Sequence, residues 1–336
     1  MIAAPAGLVL YYLRIPLPWI LGPLSAMMVY GSWSGNRILW PVGLRDCGVI
    51  VIGYSMGRTV TGQTMQQVVA HLPAMFIVTF LTVAFCIAVG YITHRRTGIS
   101  LASGVVGSMP GGLAQMILLS EEIEDTDMTV VALMQTVRLI AVVFIVPFVA
   151  TYGIAHMNGM PSLPSIEANA YDLVRGMPAI AAAPLGAGLA YLLKFPTPFL
   201  LGPICGAAAA VLSGYPAPPV PAELLNLAMI FFGIHMGKGI TLSSLRKLGK
   251  VFPFAVGGAV LLVFFTFFLS AGLTFFTSAT LITAFLSTSP GGLAEMGVIG
   301  LALNADTAFV LAYQLFRVFS LLLLVPSLLK WRFKRR

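Results

Sequence analysis

A phrase of one proline and two adjacent glycines occurs twice in this chain, and it limits the possible folds more than any other feature. The copies are Ser108-Met109-Pro110-Gly111-Gly112-Leu113-Ala114-Gln115-Met116 and Ser289-Pro290-Gly291-Gly292-Leu293-Ala294-Glu295-Met296. Both lie inside apolar sequence, and proline with glycine breaks a helix there. A broken helix at membrane depth is tolerated only where its backbone is packed in protein or lines a cavity. The phrase therefore predicts a membrane protein with two matching broken helices.

Composition supports a membrane location. Hydrophobic residues make up 58% of the chain and charged residues only 9%, whereas soluble domains carry about 25% charged residues. The net charge of +8 comes from basic residues at the ends of apolar segments, which is typical of topology signals and argues against direct nucleic-acid binding. The four histidines and three cysteines are scattered. We therefore expect no metal site and no cofactor.

The two halves of the chain repeat each other at a constant offset. A shift of 180 residues aligns Pro16, Pro18, Gly22 and Pro23 with Pro196, Pro198, Gly202 and Pro203, and Gly53, Met56 and Gly57 with Gly233, Met236 and Gly237. After the glycine phrase the offset becomes 179 and pairs Asp127, Gln135, Arg138 and Pro147 with Asp306, Gln314, Arg317 and Pro326. Unrelated apolar segments would not keep prolines and glycines in step, so the pattern indicates an internal duplication.

The repeat defines the predicted fold class, an all-α polytopic membrane protein. We expect a first membrane repeat over residues 1–150, an external linker over 151–172 and a second repeat over 173–336. Each half reads as six apolar segments, of which the fifth is broken at the phrase. The first segment, residues 2–13, is about half as long as a membrane-spanning helix. Either the chain begins further upstream or this first helix is short.

Loop charges predict that the two repeats have opposite orientations. The basic C-terminal end, residues 330–336, and the basic loop over 246–250 are expected in the cytoplasm, whereas the linker lacks lysine and arginine. In the first half, the basic loops are not the counterparts of the basic loops in the second half, since they contain Arg37, Arg45, Arg95 and Arg96. Opposite orientation requires an odd number of crossings in each half. If the broken segment is a re-entrant hairpin, the chain has about ten transmembrane helices, two broken hairpins and both termini inside.

The two breaks are the leading candidate for a binding site. Half-helices that meet inside the membrane expose backbone groups and dipole ends to one cavity, and inverted-repeat transporters bind substrate at such breaks. The candidate residues in the phrases are Ser108, Pro110, Gly111, Gly112, Gln115, Ser289, Pro290, Gly291, Gly292 and Glu295. The alternative interpretation is a tight turn between helices that only satisfies packing.

Two arginines, one in the last segment of each half, add charge to this site. Arg138 and Arg317 are flanked by apolar residues, and Gln135 and Gln314 share their helix faces at a spacing of three residues. An arginine at the bilayer centre costs about 2.5–3.5 kcal/mol on insertion scales, so it needs a partner. The pair could bind an anionic substrate such as a carboxylate. Alternatively, each arginine caps carbonyl groups of the nearby hairpin or pairs with Glu295.

Glu295 makes the two phrases unequal, because its counterpart is the neutral Gln115. A buried carboxyl group favours its protonated form and could carry a coupling proton. It could also form an ion pair with Arg317 or lie at the mouth of the hairpin. Asp127 and Asp306 are expected to be helix N-caps. The spacing of Gly53 with Gly57 and of Gly233 with Gly237 is typical of close helix packing.

The duplicated start, Pro16 to Pro23 and Pro196 to Pro203, and the two glycine phrases resemble the AbrB membrane-protein family. Members are often labelled ammonia monooxygenases or regulators of gene expression. The resemblance implies an integral protein of the bacterial inner membrane. A copper or iron monooxygenase needs clustered histidine and carboxylate ligands, so we expect no enzyme here. A transcription factor needs a soluble DNA-binding module, so any regulation would be indirect.

These observations favour a secondary transporter of a small anionic solute, with its site at the two breaks. The alternative is a membrane sensor or regulator that acts indirectly on gene expression. The expected partners are the lipid bilayer and a small-molecule ligand, with no direct contact to nucleic acid. Whether the chain forms a homo-oligomer is left open by the sequence. The expected location is the bacterial inner membrane, with several spans and cytoplasmic termini.

Overall fold

A computed structural model describes residues 2–34, 40–123, 125–155, 173–195, 197–240, 245 and 247–333. The side chains of 113–115, 155, 173–174 and 322–333 lie outside this description. The described residues form helices and connecting turns and contain no strand. The structure therefore confirms the predicted all-α fold class over the described residues. Most of the predicted 151–172 linker, residues 156–172, lies outside the described residues.

The first half begins with three short helices and one long one. They are α1 (Ala3–Tyr12), α2 (Pro18–Ser34), α3 (Val42–Gly57) and α5 (Leu72–Thr97), with a further short helix α4 (Gly62–Ala70) between the last two. The broken segment follows as α6 (Leu101–Ser108) and α7 (Leu113–Glu122). The half ends with α8 (Met128–Phe148), which continues as a π-helical turn over Val149–Ala155. The apolar pattern of the sequence does not predict α4 as a separate helix.

The second half repeats this order. Its helices are α9 (Leu173–Leu192), α10 (Pro198–Leu212), α11 (Ala222–Lys238), α12 (Val251–Phe276), α13 (Leu281–Thr288), α14 (Leu293–Ala302) and α15 (Thr307–Phe333). Both glycine phrases fall between two short helices, α6 and α7 in the first half and α13 and α14 in the second. The predicted helix breaks are therefore confirmed. The helix α1 has 10 residues, as short as its sequence predicts.

Three helices are long and apolar enough to cross a membrane, judged by length and composition over the described residues. They are Leu72–Thr97, Met128–Ile154 and Val251–Phe276. Several others, including α1, α10 and α14, are apolar but shorter. These helices support a membrane protein. The ten crossings and the opposite orientation of the repeats stay predictions.

The chain divides into two compact units, and each contains segments from both repeats. The first unit comprises Met1–Ala70, Ala155–Thr241 and Gly297–Phe309. The second comprises His71–Ile154, Leu242–Met296 and Val310–Arg336, and it holds both glycine phrases. The first unit therefore contains the first three segments of each repeat and most of α14, and the second unit contains both breaks with the rest of the broken helices.

In the first unit, helices of one repeat pack on helices of the other repeat, so the repeats exchange partners. The helix α3 packs on α10, and its counterpart α11 packs on α2. Small residues allow this approach: a Cβ on Gly57 would lie 2.5 Å from the Ile204 carbonyl oxygen, and a Cβ on Gly237 would lie 2.4 Å from the Leu24 carbonyl oxygen. The predicted role of these glycines in close helix packing is thus confirmed. The helices α3 and α11 also pack on each other, so counterparts meet directly.

The second unit shows the same reciprocity around the long helices. The helix α5 packs on α6, α12 packs on α13, and α5 and α12 pack on each other. Phe85 and Phe265 are counterparts at the offset of 180 residues. Their rings stack with centroids 4.2 Å apart and an interplanar angle of 7°. Counterpart residues of the two halves therefore meet directly in this unit.

Backbone conformations repeat as well. Six non-glycine residues of the described chain have positive φ, and they form three pairs at the repeat offset: Arg14 with Lys194, Leu17 with Thr197 and Asp125 with Asn304. Such conformations are uncommon for residues with a side chain. The N-caps also match: Ser100 accepts from the Ser103 amide and Thr280 accepts from the Thr283 amide. The duplicated sequence thus produces duplicated local geometry.

The predicted N-caps of the last segments are confirmed. The carboxylate of Asp127 accepts hydrogen bonds from the amides of Thr129 and Val130, at 2.8 and 3.2 Å. The carboxylate of Asp306 accepts from the Phe309 amide at 3.0 Å. These caps fix where α8 and α15 begin. They therefore also fix the height at which each helix presents its glutamine and arginine.

Candidate functional site

At each break the chain leaves a short helix and turns through the proline and the first glycine. The helix α6 ends at Ser108, and Met109 takes an extended conformation that carries the chain away. At the second break Ser289 is extended in the same way. Pro110 and Pro290 are both buried. Because the helical ladder stops here, the last carbonyl groups of α6 and α13 need partners from elsewhere in the protein.

The two glutamines supply those partners. The Gln135 side-chain amide nitrogen, Nε2, donates to the carbonyl oxygens of Val106, Gly107 and Met109 at 3.0, 3.1 and 3.0 Å. Its counterpart Gln314 donates to the carbonyl oxygens of Leu286, Ser287 and Ser289 at 2.8, 3.5 and 3.1 Å. Both side chains are almost fully buried, with 1% and 0% of their surface exposed. The amides therefore cap the broken helix ends.

The two arginines continue the same capping. Arg138 donates through Nη1 to the Met109 carbonyl and through Nη2 to the Gly111 carbonyl, the second at 2.7 Å. Arg317 donates to the Ser289 carbonyl at 2.6 Å and to the Gly291 carbonyl at 2.7 Å. Only 9% and 4% of their surfaces are exposed. The expectation that each arginine caps carbonyls of its own break is confirmed.

The first glycine of each phrase makes room for a methionine. A Cβ on Gly111 would lie 2.3 Å from Cε of Met116, and a Cβ on Gly291 would lie 2.3 Å from Cε of Met296. Both methionines are buried, with 1% and 0% exposed. No positive φ is involved at either glycine. These glycines therefore leave space for a buried methionine side chain, and no positive φ calls for glycine at either position.

The two arginines lie close enough for their charges to act on each other, although they come from different repeats. The Cys86 thiol lies near both. Like charges in a buried site repel, and carbonyl oxygens contribute only partial charge. Both arginine Nε atoms are buried and have no hydrogen-bond partner among the described residues. Each guanidinium therefore keeps one edge free after capping its break.

Glu295 belongs to the second phrase but acts on the arginine of the first. Its carboxylate folds back over Gly292, so that a Cβ there would lie 1.9 Å from Oε2, and it interacts with its own amide at the start of α14 and with the charge of Arg138. Within the described residues the one ion pair closer than 4.0 Å is that of Arg45 with Asp46. The direct ion pair of Glu295 with Arg317 considered from the sequence is therefore not formed.

The remaining predicted residues differ in their surroundings. The Ser108 hydroxyl is buried without a partner in the described chain, whereas Ser289 donates to the Phe285 carbonyl at 2.6 Å. Gly112 is exposed. The side chain of Gln115 lies outside the described residues. The structure thus brings Gln135, Arg138, Gln314, Arg317 and Glu295 into one unit with both breaks.

A cavity beside the first break adds residues that the sequence analysis missed. It has a volume of about 20 Å³, room for one or two water molecules, and lies within the second unit. Arg138 and Ser108 line it together with Cys86 from α5 and with small residues from α12. The sequence signal that could have identified the α12 residues is the repeat register, which aligns α12 with α5 and allows the two helices to be compared residue by residue. The residues that the structure describes contain no group of three or more His, Cys, Asp or Glu side chains arranged to hold a metal ion.

The fold and site define an all-helical protein with membrane-length helices and two counterpart helix breaks capped by buried arginines. The chain belongs to the AbrB family: residues 19–333 match the family described as "Transition state regulatory protein AbrB". Among its relatives, "Uncharacterized protein YhjN" of Bacillus subtilis (strain 168) is 25% identical over 350 residues, covering 97% of this chain and 90% of that protein. "Putative regulator AbrB" of Escherichia coli (strain K12) is 25% identical over 323 residues, covering 95% and 90%. The resemblance noted in the sequence is thus confirmed.

Proposed function

We propose that this protein is a secondary transporter that carries a small anionic solute across the bacterial inner membrane. The observation that carries the proposal is the pair of buried arginines at the two breaks. Arg138 and Arg317 lie near each other, and the carboxylate found to act on Arg138 is that of Glu295. Two positive charges and one negative charge leave a net positive site. A bound anion supplies the missing counter-charge.

The geometry of the guanidinium groups supports a ligand that accepts hydrogen bonds. In each arginine both Nη atoms donate to backbone carbonyls of the break, which fixes the plane of the group. The Nε–H groups have no partner among the described residues. A carboxylate or another oxyanion can accept from such an edge, whereas a metal cation or an ammonium group cannot.

The breaks themselves fit a transport mechanism. Each arginine binds a carbonyl on both sides of its proline, so movement of the break moves the charged group with it. Inverted-repeat transporters place their substrate at discontinuous helices of this kind. The proposal includes about ten crossings, repeats of opposite orientation and cytoplasmic termini. It assigns no catalytic activity to the chain, and Glu295 is the group that would carry a coupling proton.

The experiment is uptake of labelled anions by proteoliposomes that contain the purified full chain, under an imposed proton or sodium gradient. We expect gradient-driven flux that falls at least about tenfold in Arg138→Gln and Arg317→Gln, because each loses a charge-assisted hydrogen bond of about 1.5–3 kcal/mol. Arg95→Gln is the matched control, since Arg95 is exposed on α5 and should retain flux. A protein without flux for any anion of a broad panel would refute the proposal.

A second candidate function is a membrane sensor that affects gene expression indirectly. The family description and the name of the Escherichia coli relative both refer to regulation. A sensor needs the same anion site but no passage across the membrane. Ligand-induced stabilisation of the protein without flux in proteoliposomes would favour the sensor. Flux that follows the imposed gradient would favour the transporter.

A further inference from the structure

We propose that the short helix α4 (Gly62–Ala70) lies in the membrane interface and binds phospholipid through one apolar face, as an anchor that does not cross the bilayer. The helix belongs to neither break, so the proposal depends on the membrane location of the chain but not on transport. α4 has nine residues, and none of them is buried. Its apolar side chains therefore need an environment other than the protein interior.

Apolar and amide side chains separate on two faces of α4. At about 100° per residue, Met65, Val68 and Val69 fall within an arc of about 100°. The three glutamines of the helix fall within a second arc of about 100° on the other side. Met65 and Val69 are 48% and 64% exposed. The apolar face is thus exposed, and an exposed apolar face opposite a polar one is typical of a helix that lies in the membrane interface.

Both ends of α4 are fixed by local chemistry. At its start, the Thr61 amide donates to Thr64 Oγ1 at 2.8 Å and the Thr64 amide donates to Thr61 Oγ1 at 3.3 Å, a reciprocal pattern with the form of a capping box. At its end, Pro73 lies in the first turn of α5. Proline has no amide hydrogen to continue the helical ladder back into α4. The two helices are therefore separate, so α4 can lie along a surface while α5 enters the membrane.

The length of α5 (Leu72–Thr97) places α4 at one edge of the bilayer. Near the far end of α5 the guanidinium carbon of Arg95 lies 5.5 Å from the centroid of the exposed Tyr91 ring. Tyrosine and arginine at one end of a membrane-length helix are typical of the headgroup level. A hydrocarbon core of about 30 Å corresponds to about 20 helical residues. Counted back from Tyr91, this distance ends beside His71, directly after the last residue of α4.

Composition indicates which part of the lipid α4 binds. Residues 59–70 contain no charged side chain, whereas helices that recognise anionic lipid are rich in lysine and arginine. The segment at the repeat offset, residues 242–250, contains three basic residues. Exposed apolar side chains also continue from α4 onto α5 through Leu72 and Phe76. We therefore expect α4 to contact the boundary between headgroups and acyl chains, in zwitterionic and anionic bilayers alike.

The experiment measures quenching of an introduced tryptophan in the purified full chain, reconstituted in phosphatidylcholine vesicles. Met65→Trp places the probe on the apolar face, and Gln63→Trp is the matched control on the other face of the same helix. The signal of each probe is its difference from wild type, which has four tryptophans.

Phosphatidylcholine brominated near the headgroup end of its acyl chains should quench Met65→Trp at least about twofold more than Gln63→Trp. Aqueous iodide should give the reverse order. Addition of phosphatidylglycerol should change the ratio of the two brominated-lipid signals by less than about 1.5-fold.

Four outcomes would overturn the proposal. Equal quenching of both probes by iodide would place the whole helix in water, and equal quenching of both by brominated lipid would place it inside the hydrocarbon. Protection of Met65→Trp from lipid and from iodide would show that protein covers the apolar face, either a second copy of the chain or residues 156–172. Preferential lipid quenching that appears only with phosphatidylglycerol would show that lipid charge, and not the apolar face, holds the helix.

A second pair of variants tests whether the apolar face itself holds α4. In the Met65→Trp protein, Val69→Asp adds a charge to this face and should lower quenching by brominated lipid at least about twofold. Gln66→Asp is the matched control and should leave this quenching within about 1.2-fold, because the charge lies on the amide side. Val69 and Gln66 are both exposed, so neither change disturbs a protein interior. Unchanged lipid quenching in Val69→Asp would refute the anchor.

Discussion

Replacement of Gln135 by leucine tests whether the side-chain amide holds the first break together. Leucine has nearly the same volume as glutamine but no hydrogen-bond donor, so the change removes two N–H donors, which three carbonyl oxygens share, and little packing. Gln135 is 1% exposed, which leaves no route for water to replace the amide. The helix end and the extended residues after it would then lose the group that joins them to α8.

The magnitude follows from what each carbonyl retains. The Met109 carbonyl keeps its bond from Arg138, and the Val106 carbonyl keeps a long bond from the Met109 amide at 3.3 Å. The Gly107 carbonyl loses its partner, and an unpaired buried carbonyl costs about 1–3 kcal/mol. The other two bonds add about 0.6 kcal/mol each, the average for polar contacts between membrane helices. We expect Gln135→Leu to lower the free energy of unfolding by about 2–4 kcal/mol.

The assay is reversible unfolding in mixed micelles, followed by helical circular dichroism. Thr136→Val is the control on the same helix, because the Thr136 hydroxyl bonds only locally to the Ala132 carbonyl at 2.8 Å, and its loss should cost less than about 0.5 kcal/mol. If Gln135→Leu shifts the unfolding free energy no more than Thr136→Val does, the capping argument is wrong. A loss comparable to the whole stability would show that the break is the centre of the fold.

Three further predictions test packing and hydrogen bonding. Gly111→Ala should lower the free energy of unfolding by about 1–3 kcal/mol, because its methyl group would meet Met116. A double-mutant cycle with Met116→Ala should show that this loss depends on Met116, and additive effects of the two substitutions would contradict the contact. Gly57→Ala should lower the free energy of unfolding more than Gly111→Ala does in the same assay, because its methyl group meets the backbone of α10. An equal or smaller loss would show that the two helices separate easily. Ser108→Ala should change the free energy of unfolding by less than about 0.5 kcal/mol, whereas Thr288→Val should lower it by about 1 kcal/mol. The reason is that, of these two hydroxyl groups, that of Thr288 has a hydrogen-bond partner and that of Ser108 has none among the described residues. Equal losses would contradict the asymmetry of the two breaks.

Sequence reasoning located the breaks and the residues that cap them because both depend on local chemistry. Proline and glycine end a helix wherever they occur together, and a spacing of three residues places Gln135 and Arg138 on one face of a helix in any fold. The carboxylate of Asp127 is an N-cap for the same reason. The register of the repeat then assigned each of these residues its counterpart before any contact was known.

The remaining features depend on neighbours that are distant in sequence. The exchange of partners between α3 and α11 follows from which apolar faces meet, and apolar composition alone does not specify that choice. The positive φ of Arg14 and Lys194 gives no signal in the residue types, because neither favours this conformation. Cys86 reaches the arginines only through the packing of α5 in the second unit. The cavity was missed because it results from small side chains on a helix that carries no polar motif.

The exchange of partners in the first unit also determines the order in which its contacts can form during synthesis. The face of α3 that carries Gly57 packs on α10, which follows about 150 residues later in the chain. At roughly 5–20 residues per second, that delay is about 8–30 s. During this interval α3 has no protein partner for that face and must be covered by lipid or by the insertion machinery. The equivalent face of α11 meets α2, which is already in place. Two helices with equivalent packing therefore differ in exposure during synthesis, and only the earlier one must wait.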